Sequence, residues 1–129
     1  MRQSNWIDTY DIVVGDTIRF EENVFSGSWR SPKFAGKRVV AATVTKDSYG
    51  QAKQQHTFTL KILESSGTDP LEVGKVTRRK GRNIYRHDPV RLLWDDEDAR
   101  QKVADEKHER GDAARSDRER RREEERMYV

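Results

Sequence analysis

Short runs of alternating hydrophobic and polar residues, separated by turn-forming residues, occupy the first 94 positions of the chain. Thr17–Phe20 alternates polar and apolar side chains directly after the turn signal Gly15-Asp16, as a half-buried strand does. The clearest strand places Phe58, Leu60 and Ile62 on one face and polar side chains on the other. These patterns predict strands that each bury one face in a common core.

Further strands are predicted between the remaining turn signals. Arg38–Lys46 is rich in β-branched residues, and shorter strands are expected at Glu72–Thr77, Asn83–Arg86 and Val90–Trp94, with Lys80-Gly81-Arg82 as a turn between two of them. Five to six short strands in this length favour a small SH3-like β-barrel or roll, a mainly β (α+β) fold. The predicted core consists of Ile12, Val14, Ile18, Phe20, Val40, Ala42, Val44, Phe58, Leu60, Ile62, Val76, Ile84, Leu92 and Trp94.

The character of the chain changes after Trp94, where most residues are charged, Ala or Gly. Acidic residues recur four positions before basic ones, which favours a helix, and Asp95 is placed to cap it. Gly111 predicts a break or weakening of that helix. We therefore expect two parts, a small β-barrel domain over residues 1–94 and a long charged C-terminal helical arm over residues 95–129, frayed after the glycine.

The net charge of +3 hides an asymmetry between the two parts. The first 94 residues carry 16 Lys and Arg against 10 Asp and Glu, whereas the remainder carries 10 against 13. A basic body favours nucleic acid, RNA or DNA, or an acidic protein surface as partner. The chain has no cysteine, and it has no apolar run of the length that a membrane span or secretory signal needs. A soluble, cytoplasmic protein with no membrane partner is the expectation.

Three segments resemble the opening of KOW-type SH3-like barrel domains: Val14–Phe20, Val24–Gly27 and Gly36–Val40. The shared pattern is a Gly-Asp turn entering a strand, a loop, and a glycine before the next strand. The resemblance implies an SH3-like barrel that binds RNA, ribosomal components or transcription proteins. Ser28–Ala35 departs from it as a long insert where such domains have a tight loop. The overall look of the chain also resembles small bacteriophage accessory proteins, many of which modify host enzymes.

A cluster of basic residues forms the first candidate binding surface. Five cations lie within nine positions around a turn glycine, together with one tyrosine. At a hairpin tip, the guanidinium groups can contact phosphates while the tyrosine ring stacks on a base. The alternative is a solvated hairpin whose charges protect an edge strand. The residues are Arg78, Arg79, Lys80, Arg82, Tyr85 and Arg86.

The second candidate surface is the loop Phe25–Arg38, where aromatic and basic residues alternate on small spacers. Such a loop can stack bases and contact phosphates, or it can instead lay its aromatic rings over the barrel mouth as a plug. The residues singled out are Trp29, Arg30, Lys33, Phe34 and Lys37.

No pattern of catalytic or metal-binding residues accompanies these surfaces. His56, His87 and His108 are dispersed without ligand spacing, and the segment from Gly67 to Lys75 lacks the spacing of a phosphate-binding loop. We therefore expect a non-enzymatic nucleic-acid-binding accessory protein without cofactor or small-molecule substrate. The alternative is a small protein–protein inhibitor or adaptor that docks on a larger host machine through its exposed aromatic residues and the arm.

Overall fold

The part of the chain that the structure describes is mainly β, with two α-helices in its second half. The computed structural model describes residues 5–49 and 56–127. The elements are β1 (Trp6–Asp8), β2 (Thr17–Ser26), β3 (Lys33–Tyr49), β4 (His56–Gly67), β5 (Val76–Lys80), α1 (Gly81–Tyr85), β6 (Val90–Leu92) and α2 (Glu97–Met127). The chain divides into two compact units, Met1–Asp95 and Asp96–Val129, so the sheet and α1 belong to the first unit and α2 to the second.

The six strands form one open antiparallel sheet in the order β1-β6-β2-β3-β4-β5. The prediction of a closed barrel is therefore wrong, because β1 and β5 stand at the two edges of the described sheet. The reason lies in strand length: β1 and β6 have three residues each, and β6 pairs with β2 only at Ile18 and Arg19. Closure would require β1 to pair with β5, and such short strands do not extend the sheet far enough for that pairing.

The long strands in the middle of the sheet are irregular. The pairing of β2 with β3 runs from Thr17 to Ser26 and shifts register between Val24 and Phe25. The pairing of β3 with β4 shifts twice, between Ala41 and Ala42 and between Val44 and Lys46. Each bulge bends the strand and increases its local twist. Strands of this kind form a curved sheet with a concave side.

The core contains most of the residues that alternation predicted. The buried apolar cluster comprises Ile12, Ile18, Phe20, Val40, Ala42, Val44, Phe58, Leu60, Ile62 and Ile84. Val14, Leu92 and Trp94 are only partly buried. Val76 is exposed, while Thr77 and Arg79 of the same strand are partly buried. The inward face of β5 is therefore polar, and its partners are described with the site below.

The predicted strand Asn83–Arg86 is wrong, because residues 83–85 belong to the helix α1 and Arg86 is its C-terminal cap. Strand β5 ends at Lys80 and the helix begins at Gly81, so no hairpin turn forms there. In a strand, the adjacent residues Ile84 and Tyr85 would point to opposite faces. In the helical turn, Ile84 is buried and the Tyr85 hydroxyl also reaches the backbone N–H of Ile12, at 2.8 Å.

The second helix begins one residue later than predicted. The Asp96 Oδ1 atom accepts hydrogen bonds from the backbone N–H groups of Asp98 and Ala99, at 3.0 and 3.2 Å, so Asp96 rather than Asp95 is the cap. The helix then passes through Gly111 as one element, so the break, one of the two alternatives predicted at this glycine, does not occur. One glycine costs about 1 kcal/mol relative to alanine, which neighbouring helix formers and oppositely charged pairs four residues apart offset. Among the described residues, no helix is both long and apolar enough to cross a membrane.

Candidate functional site

A buried carboxylate fixes the start of β2. Asp16 is fully buried, and its two oxygens accept hydrogen bonds from the Val13 backbone N–H at 3.0 Å and from the Trp94 indole Nε1 at 2.8 Å. Gly15 has a φ of +100°, and a Cβ atom there would lie 2.9 Å from the Trp94 ring. The Gly-Asp turn therefore needs both of its residues, glycine for conformation and close approach, and aspartate for the two hydrogen bonds.

A cleft of about 380 Å³ lies where β2, β3, β5 and α1 come together. We call it the arginine cleft, because three of its lining residues are arginines. The lining consists of Glu22, Asn23, Phe25, Arg38, Arg79, Asn83, Arg86 and His87. With the three arginines and one glutamate charged and the histidine neutral, the lining carries an excess of two positive charges.

Glu22 links two arginines from different strands at the centre of this cleft. Its Oε2 atom accepts a hydrogen bond from Arg38 Nε at 2.6 Å, and its Oε1 atom accepts one from Arg79 Nε at 2.8 Å. Arg79 Nη2 adds a third at 3.2 Å. Arg38 is the direct cross-strand neighbour of Glu22, whereas Arg79 lies on β5, beyond β3 and β4. The sheet therefore curves enough for side chains of β2 and β5 to meet.

This ion triad is held in place by further contacts. Arg38 Nη1 donates to the Asp69 carbonyl oxygen at 2.8 Å, and Arg79 Nη1 donates to Thr77 Oγ1 at 2.9 Å. Burial alone raises the pKa of Glu22, but the hydrogen bonds and positive charges of Arg79 and Arg38 outweigh it and hold the pKa below its ordinary value. Glu22 is therefore ionised at neutral pH, and both guanidinium groups have a fixed orientation.

The structure divides the predicted basic cluster between two faces. Arg79 points inward to Glu22, whereas Arg78 and Lys80 are exposed, as the alternation of β5 requires. Arg82 and Arg86 are exposed on and just after α1, and of these two only Arg86 lines the arginine cleft. The cluster is thus a strand and a short helix, not the basic hairpin that the sequence predicted.

Tyr85 occupies a structural position at the edge of the core. Its hydroxyl oxygen accepts the hydrogen bond from the Ile12 N–H, and its ring meets Phe58 edge-to-face at a centroid distance of 6.3 Å. Burial, as the largest cause, raises the pKa of Tyr85 to about 12. The ring is therefore packed against the core and away from the stacking role predicted for it.

The end of the β2–β3 hairpin carries three exposed aromatic side chains. We call residues 25–34 the aromatic hairpin. Phe25, Trp29 and Phe34 are 58%, 84% and 60% exposed. The two phenylalanine rings meet edge-to-face at 6.1 Å, and the Arg30 guanidinium lies 5.2 Å from the centre of the Trp29 ring. With Trp29 this exposed, the alternative in which the loop plugs a barrel mouth does not hold.

The aromatic hairpin and the arginine cleft are adjacent. Phe25 belongs to the hairpin and also lines the cleft with Arg79 and Arg86. Lys33 is exposed at the start of β3, and Lys37 is exposed with its Nζ 3.4 Å from Glu21 Oε1. The two segments predicted as separate binding surfaces therefore meet at Phe25.

A comparison with known families identifies the β-rich unit. Residues 13–94 match the family described as a domain of unknown function, DUF7699. The chain belongs to this family. The matched DUF7699 region begins at Val13 and ends at Trp94, and both of these residues donate hydrogen bonds to the Asp16 carboxylate. The region contains both the aromatic hairpin and the arginine cleft.

A plant protein contains a sequence similar to this chain. Zinc finger CCCH domain-containing protein 62 of Oryza sativa subsp. japonica is 40% identical over 114 residues, which cover 84% of this chain and 16% of that protein. The chain thus spans less than a fifth of the length of this relative. Because it has no cysteine, the present chain cannot supply CCCH ligands. No solved structure matches the DUF7699 chain.

Arg79 and Arg86 of the cleft lining were among the residues predicted from the sequence, whereas Glu22 was not. A signal for Glu22 was present, because Ile18, Phe20, Glu22 and Val24 occupy alternate positions of β2 and therefore share its inward face. A carboxylate on a buried face needs cationic partners. Nothing local indicated that one partner would come from β5. Among the described residues of the DUF7699 chain, no group of three or more His, Cys, Asp or Glu could hold a metal ion.

Proposed function

We propose that the DUF7699 domain is a non-enzymatic module that binds single-stranded nucleic acid along the aromatic hairpin and the arginine cleft. The observation that carries the proposal is a hairpin with three exposed aromatic rings, one of which lines a cleft with excess positive charge. Proteins that bind single strands combine these two features, stacking platforms for bases and cations for phosphates.

The exposure of the aromatic rings is the first supporting argument. Folded proteins bury most of their large apolar side chains, and a continuous exposed apolar patch generally marks a contact surface. Trp29 has Arg30 beside its ring, an arrangement in which a base can stack on the indole while the guanidinium contacts a phosphate. Gly27, with a φ of +86°, turns the chain so that the rings stand at the tip of the hairpin.

The preference for single strands follows from what the rings can reach. In a duplex the faces of the bases are already stacked on one another, so an aromatic side chain can contact them only after the strand has been opened. An unpaired strand offers base faces and phosphates together. The hairpin and the cleft offer the matching rings and cations side by side, joined at Phe25.

The rice relative supports an accessory role. The segment similar to this chain is a small part of that protein, whose name assigns it a zinc finger CCCH domain. A domain of this size within a longer chain is suited to act beside another module. The KOW-type resemblance of Val14–Phe20, Val24–Gly27 and Gly36–Val40 implies RNA among the partners. We therefore propose RNA rather than DNA as the preferred strand.

The test compares Trp29→Ala with Tyr10→Ala in fluorescence anisotropy of labelled oligouridine and oligothymidine. Trp29 and Tyr10 are both largely exposed, at 84% and 77%, but only Trp29 lies in the aromatic hairpin. Stacking of one base contributes about 1–3 kcal/mol, so Trp29→Ala should weaken binding about 5- to 150-fold. Tyr10→Ala should leave binding unchanged, and wild-type affinity should fall steeply between about 50 and 200 mM salt.

Two results would contradict the proposal. Absence of binding at low salt by the folded wild-type protein would remove nucleic acid as a partner, and would favour the protein–protein inhibitor or adaptor instead. Equal weakening by the two alanine variants would show that the aromatic hairpin is not the contact surface. Tighter binding of oligothymidine than of oligouridine would remove the RNA preference.

A further inference from the structure

We propose that the arginine cleft is a binding site for the terminal phosphate group of a single-stranded nucleic acid. This inference rests on the proposed function and deepens it, because it separates the role of the cleft from that of the hairpin. The cleft volume of about 380 Å³ lies within the range of about 300–1,000 Å³ that is usual for small-ligand sites. It suits one end group rather than an extended length of strand.

Charge complementarity favours an end group over an internal phosphate. The cleft lining carries two positive charges in excess after Glu22 is counted. A terminal phosphate monoester carries a charge of about −1.5 to −2 at neutral pH, whereas an internal phosphodiester carries a single negative charge. The monoester also has three terminal oxygens that can accept hydrogen bonds. Donors for them are available on Arg86, Asn83 and Asn23, which all line the cleft.

Preorganisation of the arginines is the second argument. The hydrogen bonds of Arg38 and Arg79 to Glu22, together with those to the Asp69 carbonyl and Thr77 Oγ1, orient both guanidinium groups before any ligand arrives. Fixed donors lose less conformational entropy on binding than mobile ones. Glu22 thus positions the two arginines, while Arg86 is exposed where it lines the cleft and can make a direct charged contact.

Because the cleft and the hairpin are continuous, they define a path for the bound nucleic-acid strand. Phe25 lines the cleft, and its ring contacts Phe34 at 6.1 Å in the aromatic hairpin. With the end phosphate in the cleft, the first base lies at Phe25, and the following bases extend toward Trp29. The hairpin supplies affinity for any unpaired strand, and the cleft supplies a preference for a phosphorylated end.

The experiment compares oligouridines of one length that carry a 5′-phosphate, a 3′-phosphate or hydroxyl groups at both ends. The full chain is titrated by anisotropy, with Arg86→Gln as the test variant and Arg82→Gln as its control. Arg82 is exposed on α1, the short helix that ends just before Arg86, and it does not line the cleft. A charged contact to the end group should make one of the two phosphorylated oligouridines bind about tenfold tighter than the oligouridine with hydroxyl groups at both ends. Arg86→Gln should reduce that advantage to about threefold or less, whereas Arg82→Gln should preserve it.

The outcomes separate this inference from the proposed function. Binding of all three strands with equal affinity would overturn the end-group site and leave the nucleic-acid proposal intact, whereas no binding of any strand would remove both. An advantage that survives in Arg86→Gln and in a second lining variant, Asn83→Ala, would also overturn the site. A phosphoserine peptide tests the other source of a phosphate monoester, and tighter binding of that peptide than of the phosphorylated strand would contradict a nucleic-acid ligand.

Discussion

Replacement of Glu22 by glutamine should destabilise the DUF7699 domain in a pH-dependent way. The carboxylate accepts three hydrogen bonds from two guanidinium groups, and the side chains of Glu22, Arg38 and Arg79 are only 14%, 13% and 22% exposed. Hydrogen bonds to charged groups contribute about 1.5–3 kcal/mol each, and removing one partner of a buried ion pair costs about 3–5 kcal/mol. Glutamine retains one acceptor oxygen and the site is partly solvated, so we expect a loss of about 2–3 kcal/mol in the free energy of unfolding.

The measurement is urea denaturation followed by tryptophan fluorescence. All three tryptophans, Trp6, Trp29 and Trp94, lie in the first unit, so the signal reports the sheet and not α2. The matched control is Glu21→Gln, because Glu21 and its partner Lys37 are 45% and 57% exposed. An exposed pair of this kind contributes about 0–1 kcal/mol.

The pH dependence of the stability difference between wild type and Glu22→Gln is a second test. Because the pKa of Glu22 is lower in the folded protein than its ordinary value of 4.5, ionisation of this carboxyl group favours the folded state. Its stabilisation is fully present above that ordinary value, and is lost as the pH falls through the lower folded pKa. The difference between wild type and Glu22→Gln should therefore shrink in acid. A difference that is the same at neutral and acid pH, or one no larger than that of Glu21→Gln, would refute the role of the ion triad.

Two further predictions concern the frame that supports the site. Tyr85→Phe should lower the free energy of unfolding by about 1–2 kcal/mol, because it removes the hydroxyl group that accepts the Ile12 N–H hydrogen bond. Since the pKa of Tyr85 is raised to about 12, the wild-type protein should lose stability as the pH rises from 10 toward that value. Loss of stability by phenol ionisation at lower pH would contradict this. Gly15→Ala should destabilise the domain more than Gly74→Ala, since both positions have positive φ but only the first would place its Cβ against Trp94; equal urea midpoints would refute the close contact.

The strands of the core could be predicted because their signal is local. Phe58, Leu60 and Ile62 alternate with polar residues over one strand, and burial of that face decides the register. The segment around Val76 misled the prediction because its apolar residue faces outward, while Arg79 turns inward to a carboxylate 57 positions away in sequence. Alternation shows that a strand has two faces, but an ion pair between distant strands can decide which of them is buried.

The candidate site was predictable only in its exposed part. Trp29 and Arg30 stood out as an aromatic residue beside a cation among turn-forming spacers, and the structure places them together at the hairpin tip. The arginine cleft depends on the curvature of the sheet, which the bulges of β2, β3 and β4 produce, and neither bulges nor curvature have a strong sequence signal. The short helix α1 was read as a strand because five residues are too few to show a helical period.

The hydrogen bonds that Val13 and Trp94 donate to the Asp16 carboxylate have a consequence for how this domain can be joined to longer chains. Val13 and Trp94, the first and last residues of the family match, both donate to one carboxylate, so the chain enters and leaves the domain at nearly the same point. A domain with adjacent ends can be inserted into a loop of another protein without pulling that loop apart. The position of these two ends is therefore compatible with insertion of the domain into a longer chain.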